Sequence, residues 1–296
     1  MLGASVTNEK TEGITTGGNL IGPDGVTFLY HTKPGGFVWY MNAKNPYDSH
    51  FERGGGSKFR NLVKNKDGSW TTDNKEKVKF NLNVDPHYKD AIDGCKMSFK
   101  KSMVRGYTYD KSDLDNVELT GFFNVHRSTR HDGIYLRGPC NHHDESDHLC
   151  CEEFSYDCET NRSSIVSSKV KFTKQSPNKY YDDPTGIKMI TPNVTLAGHG
   201  WFGIKYIHII SSNDVKSPKV KLEQWMNFDG DGKNWVKKNK VIYTRAYKWG
   251  PRAICDGQDY EVGAWAGPRM VYKWYDGDID FKWFSCSQIN PILIHK

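Results

Sequence analysis

The sequence has no apolar run approaching the length of a membrane-spanning helix, no block of like charge, and few of the Ala, Leu and Glu runs that favour helices. The first lack argues against a transmembrane helix. The second argues against a basic arm for nucleic acid, because the net charge of +6 is spread along the chain. A scattered, mildly basic surface still attracts acidic polymers of other kinds. The third leaves strands and turns, and the composition agrees: Trp 9, Tyr 16 and Phe 14 stand beside abundant Gly, Asn, Asp and Thr.

Turn-rich stretches ("TTGGNLIGPDG", "HTKPGG", "HFERGGGSK") fill the first part of the chain, where "GFVWYMN" is the one clear strand. "RGGGS", Arg53 to Ser57, is the best internal breakpoint. From about Val78 short strands alternate with turn clusters, as a sandwich or barrel reads. The expected organisation is a turn-rich N-terminal accessory region over 1–76 and an all-β, antiparallel β-sandwich over 77–296. Strand candidates include "KVKFNLNV", "KSMVRGYTY", "NVELTGFFNVHR", "GIYLRG", "GWFGIKYIHII", "KVKLEQWMNF" and "IDFKWFSCSQI".

Side chains alternate along a strand, so the pattern assigns faces. Leu119, Phe123 and Val125 share one side; Glu118, Thr120, Asn124 and His126 share the other. Val220, Leu222 and Met226 oppose Lys219, Lys221, Glu223 and Trp225. Ile134 and Leu136 oppose Tyr135 and Arg137. These second faces are either ordinary solvated sheet or the lining of a groove.

The stretch "YLRGPCNHHDESDHLCCEEFSYDC", Tyr135 to Cys158, concentrates four of the seven cysteines. It reads as a metal site, a disulfide-stapled loop or the rim of an active site. The donor spacing matches no standard zinc finger or ribbon. A long excursion between strands gains from covalent closure, which favours Cys140 bonded to Cys150 or Cys151, the other reaching Cys158. Cysteine usage and the triplets "NRS" at Asn161 and "NVT" at Asn193 fit an oxidising, extracellular or cell-surface location. The opening "MLGASVTNEKTEG" lacks a signal peptide's apolar region, so export implies a signal already removed.

"WAGPRMVYKWYDGDIDFKWFSCSQI" and "KVKLEQWMNFDGDGKNWVKKNKV" together resemble the concanavalin-like jelly rolls of carbohydrate-active proteins, especially the alginate and glucuronan type of polysaccharide lyase. The resemblance spans roughly Val78 to Ile289. It implies β-elimination on an acidic, uronic-acid polysaccharide: a cation or amide neutralises the carboxylate and a Tyr or His removes the C5 proton. The family's Arg-Thr-Glu-Leu-Arg, Gln-Ile-His and Tyr-Phe-Lys-Ala-Gly strands are missing, and "GIYLRG" and "KYIHII" are the nearest local analogues. The paired carboxylates of jelly-roll glycoside hydrolases are missing too. On this reading Arg137 neutralises the carboxylate, His126, His142 or His208 is the base, and Tyr206 or Tyr135 the acid. Trp225 stacks on a sugar, with Glu223, Lys221 and Asn124 lining the site. The rival readings are a non-catalytic carbohydrate-binding or adhesive surface protein, and a subunit of a surface assembly whose N-terminal region makes a homo-oligomer.

No cofactor is required by this chemistry. In "DGDGKN", Asp229 and Asp231 alternate as in calcium loops, but Lys240 falls where the loop's last acid belongs. Structural calcium and a plain Asp-Gly hairpin turn are both readings of that stretch.

Overall fold

A computed structural model describes residues 21–73, 76–84, 114–128, 133–140, 155–162, 168–175, 180–186, 188–189, 196–212, 219–244, 246–250, 253–255, 258–260, 269–275 and 277–294. Among them every regular element is a strand. In chain order these are β1 (Tyr30–Thr32), β2 (Val38–Tyr40), β3 (Phe51–Arg53), β4 (Leu62–Lys64), β5 (Trp70–Thr72), β6 (Val78–Asn83), β7 (Val117–Ser128), β8 (Gly133–Cys140), β9 (Ser155–Arg162) and β10 (Ser168–Gln175). There follow β11 (Tyr180–Asp182), β12 (Lys188–Met189), β13 (Trp201–Ser212), β14 (Lys219–Asn227), β15 (Val236–Thr244), β16 (Ala253–Cys255), β17 (Gln258–Tyr260), β18 (Arg269–Trp274) and β19 (Gly277–Ile294).

Two antiparallel sheets form a β-sandwich. The first runs β15-β14-β13-β7-β19-β5-β4, with β1 and β2 also paired to β19. The second runs β11-β10-β9-β8-β18-β6-β3, with β12 on β10. Their inner faces are aromatic. Tyr272 of β18 stacks on Phe284 of β19 at 4.1 Å between centroids, and Phe80 of β6 meets Phe281 at 5.3 Å. Each such ring removed from water contributes about 1.5–3 kcal/mol, so this seam joins the sheets firmly.

The N-terminal boundary drawn at residue 76 does not separate two packing units. Strands β1 and β2 pair with β19, β5 pairs with β19, and β3 pairs with β6. The turn-rich composition reads as an accessory region because these strands are only three residues long. Long-range pairing, invisible in local composition, makes them part of the sandwich.

Residues 21–32 lie as a strap across the exterior of the first sheet. Thr27 N donates to Gly232 O at 2.8 Å, and the backbone N of Tyr30 donates to the Glu118 carboxylate at 3.2 Å. Beneath it, Glu118 and Lys205 form an ion pair at 2.6 Å with both side chains fully buried. The polar face expected along β7 is real, but the strap covers its Glu118 and Thr120.

The Cys-rich stretch ends differently from expectation. Strand β9, not foreseen there, places Cys158 on the inner face between Leu136 and Phe172, its cross-strand partners. Its side chain has no exposed surface, and Cys150 and Cys151, the cysteines expected to bridge to it, lie outside the described residues. The strand's alternation, not the loop, decides the direction of Cys158. Residues 141–154, with His142, Cys150 and Cys151, lie outside the described residues, as do Cys95, Asn193 and "KSMVRGYTY".

Candidate functional site

Strand β14 turns Val220, Leu222 and Met226 into the core and leaves Lys221, Glu223 and Trp225 on the exterior of the first sheet. The hairpin turn 228–235 then returns the chain so that Lys237 of β15 lies opposite Trp225. The strap supplies the facing wall. Between them is a groove of ≈ 400 Å³ lined by Tyr30, Lys221, Glu223, Trp225, Trp235 and Lys237 among others.

Glu223 is the hub. Its Oε2 accepts from Tyr30 Oη and from Trp225 Nε1, each at 3.0 Å, and its Oε1 accepts from Lys237 Nζ at 3.0 Å. Lys221 Nζ lies 3.6 Å from Oε1 and donates to Tyr30 Oη at 3.0 Å. Burial alone would raise the Glu223 carboxyl, but the hydrogen bond from Lys237, the charge of Lys221 and the indole N–H together hold it below the usual value. Tyr30 moves the other way: burial first, then the neighbouring carboxylate, raise its phenol and keep it protonated.

The cations also meet ring faces. Lys237 Nζ is 4.6 Å from the Trp225 ring centroid, and Lys221 Nζ is 5.2 Å from that of Tyr30. Lys233 and Lys240 complete the rim, so four lysines face one neutralised carboxylate among the described lining residues. The arrangement can take an anion and present an aromatic surface beside it.

The proposed site residues divide among four places. Lys221, Glu223 and Trp225 come together in this groove. Asn124 and His126 occupy the same exterior farther along, where His126 Nε2 lies 2.6 Å from Asp280 Oδ2. Asp280 also accepts a hydrogen bond from Thr71 Oγ1. Tyr206 and His208 are a correction, for they point into the sandwich and are 0% and 1% exposed. Strand β13 is buried over most of its length on both sides, so its pattern gave no sign of which face was which. Tyr206 packs against Gly138 of β8, where a Cβ would collide with its ring. Arg137 and Tyr135 belong to β8 in the second sheet, turned to the opposite exterior, away from Leu136 and the core. Tyr135 meets Tyr275 edge to face at 5.8 Å, and Arg137 is 3% exposed. They cannot share a site with Trp225, because the thickness of the sandwich intervenes.

Asp231 closes its own turn. Its Oδ1 accepts from Asn227 Nδ2 at 2.6 Å and from Lys233 N at 2.8 Å, and its Oδ2 accepts from Asn234 Nδ2 at 2.7 Å. Burial would raise this carboxyl, yet the amide donors hold it below its ordinary value. Among the described residues, Asp229 and Asp231 join no group of three metal-ligating side chains.

Tyr30, Trp235 and Lys237 were missed from the sequence. A hairpin register drawn across "DGDGKN" would have set Lys237 near Trp225. No local signal brings Tyr30 to Glu223, 193 positions away.

No protein-family model matches the chain, and no curated protein matches it. Among solved structures it is similar to a legume lectin-like domain from Entamoeba histolytica, with TM-score 0.40 and 10% identity over 80% of this chain and 88% of that one. An alginate lyase solved with alginate tetrasaccharide gives TM-score 0.39 and 9% identity, over 88% and 97% of the two chains. The alginate lyase from Aplysia kurodai gives TM-score 0.33 and 10% identity, over 60% and 71%.

Proposed function

We propose that this protein is an extracellular or cell-surface carbohydrate-active protein that binds an acidic polysaccharide in the groove between the strap and β14–β15. The observation that carries the reading is the pairing of lysine rim and aromatic floor around the buried Glu223 hub. Glu223 holds Trp225 and Tyr30 in place and is itself neutralised, which leaves the remaining ammonium groups for a ligand's carboxylates. Lys237, 37% exposed at its side chain, can exchange its contact with the Trp225 ring for a sugar carboxylate and leave the ring face to the sugar.

Titration calorimetry with a polyuronate and a neutral glucan tests this. The polyuronate binds and the affinity falls with salt, while the neutral chain binds weakly. Trp225→Ala weakens polyuronate binding by about 1–3 kcal/mol. Equal affinity for both polymers, or a Trp225→Ala variant that loses thermal stability and keeps its binding, would count against the groove.

Elimination chemistry is the second reading, and one observation favours it. Among the described residues His126, 48% exposed at its side chain and oriented by Asp280, is the base named from the sequence that lies at the surface of this sheet. Asn124 is the in-register neighbour of Asp280 and Lys282 lies two residues farther along β19. An oriented imidazole beside an amide and an ammonium can remove a proton next to a carboxylate that they neutralise. Ultraviolet absorbance of the unsaturated product decides it: binding without absorbance leaves the protein a lectin, and absorbance lost in His126→Ala makes it a lyase.

A further inference from the structure

Strand β19 carries a distortion that the groove does not explain. Trp283 has φ of 51°, the one non-glycine residue at positive φ among the described residues. Bulky side chains avoid this region, and such strain is retained where the surroundings fix it. It sits in a bulge, since the register with β7 shifts between Lys282 and Ser285. In a regular strand Lys282 and Trp283 would face opposite sides of the sheet. The bulge instead sends both outward, while Phe281 and Phe284 go into the core.

What the bulge presents is a charged aromatic clamp. Lys282 Nζ lies 4.1 Å from the Trp201 ring centroid and 4.0 Å from that of Trp283. All three residues are partly exposed. The clamp is joined to the groove through rings: Trp283 meets Phe122 at 5.1 Å, and Phe122 meets the groove's Trp235 at 5.6 Å. Trp225 pairs across to Lys205 of β13, and Trp201 lies four residues along that strand, about 13 Å away. A single sugar is too short to bridge that separation, whereas one chain of several sugars can reach both places. Lys282 has burial against it, which lowers its ammonium pKa, and Asp67 in its favour.

We infer that Trp201, Lys282 and Trp283 form a second subsite, which takes a further acidic sugar of the same polysaccharide chain that the Lys221–Glu223–Trp225 groove holds. This rests on the groove reading. The indoles offer flat faces to a sugar ring and Lys282 supplies the counter-charge for its carboxylate, the same pairing of ring and ammonium as in the groove. A chain spanning both is held at two points, so affinity depends on length.

Calorimetry with uronic-acid oligosaccharides of increasing length reads this out. Short oligomers bind the groove, and affinity rises in a second step once the chain reaches Trp201. The informative variant is Trp283→Gly, which removes the indole and suits the positive φ, so that the fold is kept. In it the second step is lost, with long-oligomer affinity down about tenfold and short-oligomer affinity unchanged. Lys282→Gln loses the same step with the backbone of Trp283 untouched. Unchanged long-oligomer affinity in both variants overturns the subsite and leaves the groove standing. Failure of the wild type to bind oligomers of any length overturns the groove reading and the subsite together.

Discussion

Replacing Lys205 by methionine lowers the free energy of unfolding by about 3–5 kcal/mol, because it strips the partner from a buried carboxylate while roughly keeping the volume. Lys205 Nζ donates to Thr120 Oγ1 at 2.8 Å and pairs with Glu118 at 2.6 Å, with no exposed surface on either charged side chain. Burial lowers the Lys205 pKa, and the Glu118 carboxylate acts against that shift. The ammonium is further enclosed by Trp235, 4.5 Å from the ring centroid, and by Phe28 of the strap at 5.3 Å. Urea denaturation of the wild type, Lys205→Met, Glu118→Gln and the double variant measures the effect. The double variant is expected to be more stable than the singles would sum to, since it leaves no isolated charge. Additive losses would show that the two groups do not act as a pair. Because Glu118 also accepts from the strap's Leu29 and Tyr30 backbone N–H groups, the single variants also loosen the groove wall. Binding should then weaken even though no groove lysine has changed.

Stability falls as the solution is acidified from pH 6.5 toward pH 4, and His208 accounts for about 3 kcal/mol of that fall. The imidazole is 1% exposed, and burial lowers its pKa from 6.5 to about 4. The backbone hydrogen bond to Asp115 O at 3.2 Å and the Asp115 charge oppose the shift without reversing it. The sign follows from proton counting. In this window the unfolded chain binds a proton at His208 and the folded chain does not, so the unfolded state gains. The contribution is fully present above the unfolded value and is lost as pH falls through the folded one. Denaturation midpoints for wild type and His208→Asn, compared across this range, isolate it from the carboxylates that titrate in both. The gap between the two proteins narrows on acidification. A constant gap would mean that His208 is protonated within the fold, with a counter-charge beside it.

A residue with this behaviour is a core histidine, and the contrast with His126 shows how far the sequence carries. Both sit on strands, and both belong to stretches that alternate well enough to be recognised. On β7 the alternation is between clearly apolar and clearly polar residues, so His126 falls on the exterior, where the structure has it beside Asp280. On β13 the neighbours on both sides are apolar, so the period of two survives but its phase is hidden. Nothing local to either stretch linked Asp280 to His126, although its carboxylate reaches that imidazole across the sheet.

What the sequence determined on its own was the local part: an all-β chain, most of the strands from residue 78 onward, and the shared side of Lys221, Glu223 and Trp225. These follow from composition and from an alternation that each strand carries within itself. Tertiary structure alone decided that residues 21–32 cover the first sheet, that Arg137 and Trp225 stand on opposite exteriors, and that Cys158 lies in the core. It also made the groove, which depends on a contact between Tyr30 and Glu223 across 193 positions. Pairing at that distance is selected by the fit of whole faces and by the need to satisfy groups such as Glu118 once they are buried. Neither condition is written in any one stretch of the chain.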